Sequence, residues 1–84
     1  VSQFYIRMSV KDSPGVLSKI SGVLGNHNVS IYSVVQAKAQ HDLAEIVMVT
    51  HSVVEKNMQN SLKEIKALDI VNEISSLIRV EDEE

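Results

Sequence analysis

Between Val10 and Val16 the spacing of apolar residues changes from every second position to every third and fourth, across Lys11-Asp12-Ser13-Pro14-Gly15. A chain that changes period there leaves a sheet and enters a helix at a single corner. Upstream, Phe4, Ile6, Met8 and Val10 fall on one face and Tyr5, Arg7 and Ser9 on the other, which predicts a half-buried strand over 4–10. Downstream, Val16, Leu17, Ile20, Val23 and Leu24 form one helical stripe, which predicts a helix from Pro14 to about Leu24. Pro14 suits the first helical position because its φ is already fixed and it has no N–H to leave unpaired. Ser13 or Asp12 is then the expected cap. The free N–H groups of Gly15, Val16 and Leu17 would point out of the helix end, where the dipole favours negative charge. Gly15 has no Cβ, so a small ligand can come close to the backbone there. The corner therefore reads either as a plain turn into a helix or as a seat for an anion.

The rest of the chain narrows the fold. Gly25, Asn26 and Asn28 tolerate positive φ and predict the end of the first helix. A β-branched stretch over 29–38 predicts a second strand, with Val29, Ile31, Val35 and Ala37 on one parity and Ser30, Tyr32, Val34 and Gln36 on the other. Ala39-Gln40-His41-Asp42 predicts a hairpin with a loop longer than the minimum. A third strand follows over 43–51, with Ala44, Ile46, Met48 and Thr50 opposed to Glu45, Val47, Val49 and His51. Ser52-Val53-Val54-Glu55 has the spacing of a capping box, opening a helix to about Lys66 with Met58, Leu62 and Ile65 inward. A last strand over 71–80 is expected to turn Ile74, Ile78 and Val80 to the core.

Strand, helix, strand, strand, helix, strand with right-handed crossovers predicts an α+β sandwich of the ferredoxin-like kind: a four-stranded antiparallel sheet with both helices on one face. The parities then put Tyr5, Tyr32, Val34, Val47, Val49 and Leu77 on the other face. That is more apolar surface than an open sheet wall needs, and it implies a partner.

Composition removes several classes of function. At 84 residues the chain makes one domain, expected over 1–80, with an acidic, disordered tail at Glu81-Asp82-Glu83-Glu84. A net charge of -3 offers no basic field for nucleic acid or an anionic membrane. No apolar run approaches the roughly 18 residues of a membrane span, and without cysteine there is no disulfide framework or thiolate chemistry. A cytoplasmic protein is expected, and Val1 in place of Met suggests a piece of something longer. The sheet lacks the aromatic run of an RNA-binding module, having only Phe4, Tyr5 and Tyr32. His27, His41 and His51 stand in or beside loops at spacings that do not gather a metal. With no nucleophile triad and no glycine-rich phosphate loop, the chain by itself is read as non-catalytic.

The run Tyr5-Ile6-Arg7-Met8-Ser9-Val10-Lys11-Asp12-Ser13-Pro14-Gly15-Val16-Leu17 resembles the first strand and ligand loop of ACT domains, the amino-acid-sensing modules of biosynthetic enzymes. The match continues through Asn28-Val29-Ser30-Ile31, Ala44-Glu45-Ile46-Val47-Met48-Val49-Thr50-His51 and Ile74-Ser75-Ser76-Leu77-Ile78-Arg79-Val80. In these segments it is similar to the C-terminal ACT domain of bacterial homoserine dehydrogenases.

The resemblance implies an amino-acid effector held between two domains, with Asp12, Ser13, Gly15, Val16 and Leu17 on one and Ser30 and Ile31 on its neighbour. The effector carboxylate would lie on the helix N-terminal amides and its ammonium on Asp12. Ser30 would add a hydrogen bond at a position where many ligand-binding relatives carry Asn. The further implications are threonine as effector, a homodimer or higher homo-oligomer, no cofactor in this domain, and NAD(P) in the parent's catalytic domain. The alternative is an oligomerisation module that binds no effector.

Overall fold

The computed structural model describes residues 1–38 and 40–80, so Ala39 of the hairpin and the expected tail at 81–84 lie outside the described residues. Among the described residues six elements follow one another: β1 (Gln3–Lys11), α1 (Val16–Asn26), β2 (Ile31–Lys38), β3 (Leu43–Thr50), α2 (Glu55–Lys66) and β4 (Val71–Val80). The sheet has four strands in the order β2-β3-β1-β4, and every neighbouring pair is antiparallel. Each βαβ unit thus leaves a gap that a strand of the other fills, which is the ferredoxin-like split arrangement. Phe4, Ile6, Met8 and Val10 of β1 and Ala44, Ile46 and Met48 of β3 meet Val16, Ile20, Val23 and Leu24 of α1 and Met58, Leu62 and Ile65 of α2 in one core.

The two central strands keep the expected alternation, and the two edge strands do not. In β4, Arg7 is opposite Ser76 but Met8 is opposite Ile74, so Ser75 is an extra residue; Asn72 is another, between Glu73 and Val71. A single extra residue reverses the facing of everything beyond it. Ile78, paired with Tyr5, and Val80, paired with Gln3, therefore belong to the open face, while Leu77, paired with Ile6, belongs to the helix side. This corrects the expected parity of all three residues. Tyr32 is the extra residue of β2, between Ile31 opposite Thr50 and Ser33 opposite Val49. It turns Val35 to the open face opposite Val47, and Val34, opposite Met48, to the helix side.

The helix boundaries also shift for identifiable reasons. The N–H and C=O of Val53 both pair with Ser2, at 2.9 and 3.2 Å, which keeps the chain extended through Val53. The cap of α2 is therefore Val54, which has no side-chain cap bond, and Glu55 is the first helical residue, so the helix opens two positions later than a cap at Ser52 would place it. Glu55 pairs with Arg79, which the bulge at Ser75 has turned toward the helices. At the other end of α1, the helix runs on through Gly25 and Asn26, and Asn28 takes the positive φ of 61° that stops it.

Candidate functional site

The corner between β1 and α1 is built differently from its sequence expectation. Helix α1 starts at Val16, two residues after Pro14, and its cap is Gly15 in the left-handed region at φ 83°, with no side-chain cap. A residue with a Cβ is strained at that φ, so glycine is required by the backbone as well as by any ligand. A Cβ built there would meet nothing within 4 Å, so the space over the corner is open.

The first helical bond of α1 runs from the Lys19 N–H to the Gly15 carbonyl at 3.1 Å. The amides of Val16, Leu17 and Ser18 precede it and form the open helix end. Val16 is buried and Leu17 packs on the core, so these two can offer a ligand only their backbones. Ser13 and Asp12 are exposed. Among the described residues the Asp12 carboxylate has no hydrogen bond or ion pair, so it is free to meet a cation.

Two backbone bonds hold this corner in place. Lys11 N–H donates to the Ile70 carbonyl at 2.8 Å, and Asp12 N–H donates to the Asp42 carbonyl at 2.9 Å. Asp42 belongs to the β2–β3 turn, where His41 and Asp42 have φ of 60° and 61° and Leu43 N–H closes on the Gln40 carbonyl at 3.2 Å. Strand β2 ends at Lys38, paired with Ala44, and β3 begins at Leu43, so the connection is longer than a two-residue hairpin loop, as the sequence predicts.

Ser30 and Ile31 lie at the opposite end of the sheet. The Ser30 carbonyl accepts the His51 N–H at 2.9 Å, and Ile31 pairs with Thr50, whereas the corner adjoins the end where Lys38 pairs with Ala44. Thr50 is six residue steps along β3 from Ala44, which is about 20 Å at the rise of a strand. A single chain therefore brings Asp12, Ser13, Gly15, Val16 and Leu17 together and leaves Ser30 and Ile31 apart from them.

Sequence reasoning missed the surroundings of Ser30. Tyr32 meets the ring of His51 edge to face, with centroids 5.2 Å apart and planes at 88°. The contact follows from the bulge at Tyr32, and no residue type in β2 announces that bulge. The other two histidines have separate tasks: His27 contacts Glu64 at 2.9 Å between the helices, and His41 carries the turn. No group of three metal-ligating side chains occurs among the described residues, and no helix there is long and apolar enough to cross a membrane.

This geometry agrees with the comparisons to known proteins. The chain is 41% identical over 81 residues to a homoserine dehydrogenase of Neisseria gonorrhoeae, covering 95% of this chain and 19% of that protein. A homoserine dehydrogenase of Synechocystis is 45% identical over 80 residues, covering 95% of this chain and 18% of the other. The crystal structure of a homoserine dehydrogenase from Thiobacillus denitrificans superposes with a TM-score of 0.84 at 33% identity, over 96% of this chain and 18% of that one. The chain thus spans about a fifth of the length of the curated relatives it matches. The family model described as ACT domain matches residues 4–70, the stretch that runs from the start of the core strand β1 through α2, and the chain belongs to the ACT domain family.

Proposed function

We propose that this chain is the amino-acid-responsive regulatory domain of a homoserine dehydrogenase, acting as a pair of copies that hold threonine or a close relative between them. The observation that carries the reading is the split of the expected site between the two ends of one sheet. Antiparallel pairing of two β2 edges about a two-fold axis brings the Ser30 end of one copy beside the Asp12 end of the other. Strand β2 suits that role: seven of its eight residues are exposed, and it carries neither proline nor any charge before Lys38. The other edge, β4, is interrupted by two bulges and carries Glu73 and Arg79.

In this arrangement the effector carboxylate rests on the amides of Val16 and Leu17, and its ammonium meets Asp12. Ser30 and Ile31 of the partner copy close the site. Binding regulates only if the effector prefers one arrangement of the pair over another, and an attached NAD(P)-dependent catalytic domain would read that preference. The end product of a pathway is the chemically sensible signal, which favours threonine.

A thermal-shift panel of amino acids on the 84-residue chain tests the reading. Threonine at ten times its dissociation constant should add about 1.4 kcal/mol of stability, seen as a rise of several degrees in Tm. Asp12→Ala should abolish the shift and leave the pair intact. A pair that no amino acid stabilises would instead be an assembly module.

A further inference from the structure

The open face of the sheet carries a continuous apolar band because the two edge strands are bulged. Val35 is opposite Val47, Val49 opposite Tyr5, and Tyr5 opposite Ile78, with Val80 one step beyond on the same strand. The exposed members are Val35 at 63%, Ile78 at 53% and Val80 at 39%. Regular alternation past Ile74 would have turned Ile78 and Val80 toward the helices and kept Arg79 in water. Such an exchange forfeits apolar burial in a lone chain and recovers it only when the face is covered.

The charges on that face identify what covers it. Arg7 and Glu45 sit together across it with 3.5 Å between Nε and Oε2. Lys11 and Glu73 occupy its border, in register with Leu43 and Ser9. Among the described residues the cations and carboxylates of this face are therefore balanced, two of each, in a chain whose net charge is -3. A second identical face can approach without repulsion, and its Arg7 and Glu45 are matched to the same two groups opposite.

We propose that the open sheet face is a second self-association surface, on which two β2-paired dimers stack into a tetramer. This rests on the edge pairing described above, and size is the reason. Four strands about 4.8 Å apart and about five residues long give a flat footprint of roughly 300 Å² per chain, small against the roughly 800 Å² per partner of a stable interface. Edge pairing joins two such faces into one eight-stranded wall with twice the footprint, so the dimer precedes the stack.

Sedimentation equilibrium of the 84-residue chain from micromolar to millimolar concentration tests this. The wild type should pass from dimer to a species of four times the 9.3 kDa chain mass. Ile78→Asp and Val80→Asp change exposed side chains, should keep the far-ultraviolet circular dichroism of the wild type, and should weaken the tetramer at least tenfold without touching the dimer. Val34→Lys, which guards the β2 edge, should lose dimer and tetramer together. A wild type that stays dimeric throughout, or an Ile78→Asp tetramer as tight as wild type, overturns the stack and leaves the edge pairing standing. A monomer at all concentrations overturns both.

Discussion

The Asp12 N–H donates to the carbonyl of Asp42 across 2.9 Å, so the corner that opens α1 rests on the turn that joins β2 to β3. That turn holds two non-glycine residues, His41 and Asp42, at φ of 60° and 61°. Turns with positive φ at both central residues favour Asn-Gly there, because left-handed φ is unfavourable for most side chains. The double variant His41→Asn, Asp42→Gly should therefore gain about 1 kcal/mol, offset in part by the added freedom of glycine in the unfolded chain. The bond to Asp12 uses only the backbone, so any ligand shift should persist while the ligand-free Tm rises by a few degrees.

Gly15 is held at φ 83°, and nothing within 4 Å would touch a Cβ built on it. Substitution there is a pure backbone penalty with no clash. Gly15→Ala should lower the unfolding free energy in urea by about 1 kcal/mol with an unchanged m-value, and Gly15→Asn should lose less, since Asn tolerates the left-handed region. A much larger loss would mean that the corner is packed against something in solution.

What the sequence disclosed depended on how many neighbours each strand has. Strands β1 and β3 are flanked on both sides, so their period of two could not slip, and Phe4, Ile6, Met8, Val10, Ala44, Ile46 and Met48 are buried as the alternation predicts. The edge strands have one neighbour each and accommodate an extra residue. Nothing in Tyr32, Asn72 or Ser75 as residue types reveals where the bulges fall, which is why Val34, Val35, Leu77, Ile78 and Val80 were assigned the wrong faces. The Asp-Ser-Pro-Gly corner was legible as a strand-to-helix junction, but its cap depends on the φ of Gly15, which composition does not specify. The distance between Asp12 and Ser30 is a property of topology, and the resemblance to ACT domains had already assigned them to different copies.

Thr50 is fully buried and its Oγ1 accepts the Phe4 N–H at 3.1 Å, just past the last β1–β3 pair at Tyr5 and Val49. The hydroxyl replaces a ladder bond where the ladder ends. Thr50→Val keeps the volume and removes the acceptor, leaving a buried N–H unpaired, and should destabilise the fold by about 1–3 kcal/mol. Thr50→Ser keeps the hydroxyl and loses one methyl, so it should cost only about 1 kcal/mol. The order of the two midpoints in urea separates the hydrogen bond from packing; equal losses would assign Thr50 to packing alone.

Ser30 is pinned by its backbone, whose carbonyl takes the His51 N–H at 2.9 Å, while its side chain is exposed. A longer side chain can therefore be accommodated without disturbing β2 or β3. Ser30→Asn should leave the ligand-free Tm within the change expected of a surface substitution, about 0.5 kcal/mol. Its amide reaches farther across a pair of copies than the hydroxyl does and has two N–H donors where the hydroxyl has one O–H. One added hydrogen bond of about 1 kcal/mol corresponds to a threonine dissociation constant roughly fivefold lower by calorimetry. Ser30→Ala should move the constant the other way. If neither variant changes the affinity while Asp12→Ala abolishes it, the effector touches only the Asp12 side, and closure of the site by a partner's β2 is wrong.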